Sequence, residues 1–144
     1  MRPFRSRRVR PAMRPLLSRP PDLEDIERIA RAQLAVIPEP FRRHFRDVVV
    51  HVEEFCDEET EREMELESPF DLLGLYRGVS LAHKSVTAGG EHIDMIFLYR
   101  RAILDYWCET GDDLGHIVRH VLIHELGHHL GLSDDDMERI EGEA

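Results

Sequence analysis

Hydrophobic positions along the chain change period several times, and each change marks an element. Leu23, Ile26, Ile29, Ala30, Leu34 and Ile37 recur at helical spacing behind Asp22, a good helix cap, and the run ends at Pro38 and Pro40. Val48, Val50 and Val52 alternate with Val49, His51 and Glu53, which predicts a strand over residues 47–54. Phe70 to Tyr76 (FDLLGLY) reads as a buried turn or short helix, Arg77-Gly78 as a bend, and Val79 to Leu81 as a short strand. After a loop at Ala88-Gly89-Gly90, Ile93 to Tyr99 is strand-like, and residues 100–108 continue as a short helix with Ile103, Leu104, Tyr106 and Trp107 inward. From Asp112 to Leu132 the pattern is one long helix, capped by Asp112 or Asp113 and ended by Gly131 in a left-handed turn. Its apolar residues Ile117, Val118, Val121, Leu122, Ile123, Leu126 and Leu130 run nearly all round, which predicts an interior helix. Helices and strands alternate irregularly and without a repeat, so the expected class is α+β with a small sheet.

Composition narrows the possibilities. At 144 residues and 42% hydrophobic, the chain has material for one small core. Residues 1–21 hold seven arginines, five prolines and no acid, while the remaining 123 carry 12 basic and 29 acidic side chains. The first stretch is expected to be a disordered tail and residues 22–144 the folded domain. Arg7-Arg8 is not followed by an apolar run, so a secretory signal is not expected. The acidic body repels phosphate backbones and disfavours nucleic acid as a partner of the domain, and no run approaches the ~18 apolar residues of a membrane span. Cys56 and Cys108 are too few for a disulfide scaffold and form no Cys-x-x-Cys pair, which fits a cytoplasmic setting. Seven carboxylates between Asp57 and Glu67 read as a solvated face.

The polar residues of the long helix carry the chemistry. His124, Glu125 and His128 stand in the order His-Glu-x-x-His. Four helical residues rotate ~400°, so the two imidazoles project from one face and can reach a single zinc ion. Glu125 begins ~100° away from His124, placed to reach a water on the ion and act as a base. Two imidazoles need a third ligand. Gly131 allows the chain to reverse, and Asp134 is the favoured carboxylate, with Asp135, Asp136 and Glu138 as competitors. Three protein ligands would leave the fourth tetrahedral position open, as catalytic zinc sites do. His116 and His120 extend the four-residue spacing backwards, drifting ~40° per step, and are expected to be partly buried or capping residues. His129, Tyr76, His92 and Tyr99 read as packing, wall or sheet residues.

HELGHHLGLSD, residues 124–134, resembles the extended zincin motif His-Glu-x-x-His-x-x-Gly-x-x-(His/Asp), in its aspartate form. Together with VVVHVEEF, LLGLYRG, IFLYR and VLIHELGHHLGLSDDDMERIE, it makes residues 22–144 look like the small bacterial zincin-like metallopeptidases. The resemblance implies an α+β, zincin-like fold in which a small mixed sheet packs on the active-site helix. It also implies zinc on His124, His128 and Asp134, Glu125 as the catalytic glutamate, and a peptide or protein substrate added to a sheet edge, with Ile93 to Tyr99 as the candidate strand. Only ten residues follow Asp134, too few for the methionine turn of larger relatives, so Met137 belongs to a short terminal helix. Two other readings are a zinc-binding interaction module with a vestigial site and a zincin-like ribonuclease. The second is disfavoured by the glutamate after the first histidine and by the acidic body.

Overall fold

In a computed structural model of the chain, residues 19–80 and 92–142 are described. The expected tail, save Arg19 to Pro21, and the expected loop at 88–90 lie outside the described residues, as does Leu81. Helix α1 spans Leu23–Ala35 and starts on a capping box in which Asp22 and Asp25 each accept the other's backbone N–H. Strand β1 is Val49–Glu53, α2 is Glu58–Glu63 in the acidic stretch, β2 is Gly74–Ser80 and β3 is His92–Tyr99. Helices α3 (Arg100–Thr110), α4 (Leu114–His129) and α5 (Asp134–Gly142) follow. The chain just before α1 is tied to the domain: Arg100 Nε donates to the Pro21 carbonyl at 2.7 Å.

The three strands form one mixed sheet in the order β1-β3-β2, with β3 parallel to β1 and antiparallel to β2. Two expectations are corrected here. Ile93 to Tyr99 lies in the central strand and not at an edge, because it pairs on both sides. Gly74 to Ser80 is one continuous strand without a bend at Arg77-Gly78: an unbroken register, from Gly74 opposite Leu98 to Ser80 opposite His92, overrides the local turn preference of the two glycines.

Alternation along β3 sorts its side chains. Ile96 and Leu98 are fully buried in the main core with Val50 of β1, whereas Phe97 and Tyr99 belong to a smaller cluster with Cys56, Leu72 and Ala102. The main core is completed by Ile26 and Ala30 of α1 and by Ile117, Val118, Val121, Leu122, Ile123 and Leu126 of α4. Each such aliphatic side chain contributes roughly 1.5–3 kcal/mol on burial, so α4 is held firmly on the sheet. It is not enclosed on all sides, however: His116, His120 and His128 remain exposed along one face, and His129 is exposed on another. Among the described residues no helix is long and apolar enough to cross a membrane.

Gly74 is where β2 meets α4 most closely. A Cβ there would lie 2.5 Å from Val121 Cγ1 and 3.0 Å from the Phe97 carbonyl oxygen, one a branched core side chain and the other backbone. Gly74→Ala is therefore expected to destabilise the fold by about 1–3 kcal/mol, as overpacking does, and to push β2 off the helix. Denaturant unfolding of the variant checks this, and parent-like stability would contradict the packing described.

Candidate metal centre and active site

Asp113 starts α4 by accepting the His116 N–H at 3.0 Å, the capping predicted from sequence. The helix ends as expected at Gly131, whose φ of 74° is left-handed. The Gly131 N–H donates to the His128 carbonyl and the Leu132 N–H to the Gly127 carbonyl, the paired bonds of a Schellman turn. Ser133 then opens α5: its hydroxyl accepts the Asp136 N–H at 3.1 Å. Asp134, Asp135 and Asp136 form the first turn of α5, where carboxylates complement the positive end of the helix dipole.

Past the turn, α5 runs back along α4. Met137, fully buried, lies over Gly127, so close that a Cβ on that glycine would be 2.6 Å from its sulfur. Near the other end, the buried Arg119 of α4 donates from Nη2 to the Ile140 carbonyl. Burial pulls the Arg119 guanidinium below its ordinary pKa, while the Glu141 charge works against that loss. Pinned at Met137 and at Ile140, α5 delivers Glu141 onto the polar face of α4.

There Glu141 Oε1 stands 2.9 Å from His120 Nδ1 and 2.9 Å from His124 Nε2. Neither contact is aligned as a hydrogen bond, and Oε1 is a buried carboxylate oxygen without a hydrogen-bond partner. Among the described residues, the group of three or more potential ligands whose donor atoms converge within 4.8 Å is His120, His124 and Glu141. His124 is thus a member, as the motif requires. His128 is exposed, its ring centroid 6.0 Å from that of His124, and Asp134 is exposed at the head of α5; neither joins the converging group. His120, expected to be partly buried or capping, is instead 60% exposed, its ring tilted by 34° against that of His124 at 4.0 Å between centroids.

Glu125 lies deeper. Its Oε2 accepts the backbone N–H of Tyr76 from β2 at 3.4 Å. Burial raises its pKa, opposed by that hydrogen bond and by the neighbouring His128 and His124. Tyr76 is itself fixed: its hydroxyl donates to Asp94 at 2.6 Å and its ring stacks on His129 at 3.7 Å. Burial, with the Asp94 contact, pushes the Tyr76 hydroxyl up to about 12. Tyr76 thus serves as a wall that aims its own N–H at the glutamate. His120, His124, Glu125 and Glu141 line one cavity of about 800 Å³, together with Leu73, Gly74 at the start of β2 and Arg119.

Two imidazole nitrogens and one carboxylate oxygen are a donor set suited to zinc, and the orphaned Oε1 is a polar atom that a cation would satisfy. The residues present fit the metal. Residues 45–144 match the family model described as zincin-like metallopeptidase. The chain belongs to this family. A search of curated proteins returns no match to it. Membership implies zinc as the metal of the chain, and the three-strand mixed sheet packed on α4 agrees with a zincin-like fold.

Neither Glu141 nor the backbone of Tyr76 is marked as a site group by the sequence. Glu141 falls outside the zincin motif, and its approach depends on the reversal of α5. For His120 a signal was present, its four-residue spacing from His124, but that spacing is shared by ordinary packing residues on one helix face.

Proposed function

We propose that the protein is a zinc-dependent peptidase that hydrolyses peptide bonds in the cavity between β2, α4 and α5, with Glu125 as general base. One observation carries the reading: the glutamate that follows His124 in the motif is half-buried in that cavity and held by the backbone of a sheet edge. The metal would be held by His124, with His128 and Asp134 as the further ligands that the zincin motif supplies. When bound, zinc lowers the pKa of a water molecule and polarises the scissile carbonyl.

The chain's own groups provide the rest. Glu125 accepts a proton at its carboxylate and returns it to the leaving amine, a shuttle favoured by the upward direction in which burial moves its pKa. The Leu73 carbonyl accepts the Tyr99 N–H of the central strand, so by antiparallel alternation the backbone groups of Gly74, Tyr76 and Gly78 face away from β3. An extended substrate would pair with this outer edge of β2, which leads to Glu125 through Tyr76.

A fluorogenic peptide library tests the reading. Cleavage by the purified protein is expected, abolished by a chelator and restored by zinc. Zinc binding without cleavage of any peptide would instead identify an interaction module with a vestigial site.

A further inference from the structure

The motif accounts for His124, Glu125, His128 and Asp134, but it leaves the group that converges on Glu141 unexplained. We infer that His120, His124 and Glu141 form a second seat for the zinc ion, overlapping the motif's own seat through the shared His124. The inference rests on the reading of His124 as a zinc ligand.

Three observations carry it. The donor atoms lie within 4.8 Å of one another, with Glu141 Oε1 2.9 Å from a nitrogen of each histidine. That oxygen is buried and makes no hydrogen bond, a desolvation cost that a cation between the three would remove. Glu141 is also held there by design of the helix pair, through Met137 on Gly127 and the Arg119 bond to the Ile140 carbonyl, and is only 28% exposed. The donor set of two imidazoles and one carboxylate selects zinc or cobalt over magnesium or calcium, which prefer oxygen. Because His124 presents Nε2 to Glu141, the two seats exclude each other and the chain binds one ion. The exposed His120 gives that ion a path from solvent, and Glu125 lines the same cavity.

The test uses the full-length metal-free protein, titrated with zinc against a chromophoric chelator and, separately, with cobalt followed by its visible absorption. The parent is expected to take one ion per chain. Glu141→Gln and His120→Ala each confine the ion to the motif's seat, and are each expected to change the cobalt spectrum and to weaken zinc by about twofold or more, the loss of one of two comparable seats. His120 is exposed, so its variant keeps the fold even if the Glu141 variant disturbs α5; circular dichroism verifies both. Parent-like affinity and spectrum in the two variants, with one ion still bound, would overturn the second seat and leave the motif reading standing. A parent that binds no zinc would overturn both.

Discussion

Glu125→Gln is expected to retain zinc and fold while losing peptide hydrolysis by about 10²–10⁴-fold, the range that a positioned general base contributes. The amide keeps an oxygen for the Tyr76 N–H and nearly the same shape, so the hydrogen bond and the cavity survive. What it lacks is a site to accept and return a proton. The same substitution carries a stability signature of definite sign. Burial raises the pKa of Glu125, so the folded state holds its proton to higher pH than the unfolded state, and stability falls as pH rises from the ordinary glutamate range through the raised value. The metal-free glutamine variant should therefore melt above the parent at neutral pH and coincide with it at acid pH, where both are uncharged. A parent-like rate of cleavage at equal zinc content would eliminate Glu125 as the base.

His124→Ala is expected to have the largest effect on the metal. His124 is common to the motif and to the group that meets Glu141, so its loss removes both ways of holding the ion. Loss of an outer partner alone costs 10–100-fold in metal affinity, and removal of a direct ligand should exceed about 100-fold. The ring is 31% exposed and at the edge of the core, so the shortened side chain leaves Leu122, Ile123 and Leu126 packed as before. Metal analysis after dialysis against a weak chelator reads the outcome; zinc retained at parent level would remove His124 from the ligand set.

Elements built on local periodicity were legible in the sequence. The Asp22 cap, the valine alternation of β1, the Asp113 cap and the left-handed Gly131 all appear where the pattern puts them, because each is decided by neighbours within a turn or a strand. The strand over Gly74–Ser80 was hidden because its glycines favour turns in isolation and serve close packing in the fold: Gly74 accommodates Val121. Which strand sits at the edge was likewise illegible, since β3 and β2 differ in pairing, a property of topology and not of composition. In the site, His124 and Glu125 are identified by a motif within one helix. Glu141 reaches them only because Gly131 turns the chain and Met137 seats α5 on Gly127, a relation across two helices that no spacing rule expresses. Asp134 illustrates the converse: its place in the motif suggests a ligand, and its place at the head of α5 also satisfies a helix dipole.

The central claim, hydrolysis by a metal held on α4, is tested most directly by adding zinc stepwise to the metal-free protein while following cleavage of a fluorogenic peptide. The rate should rise in proportion to bound zinc and level off at one ion per chain. Cleavage at full rate without metal, or zinc saturation without cleavage, would contradict it.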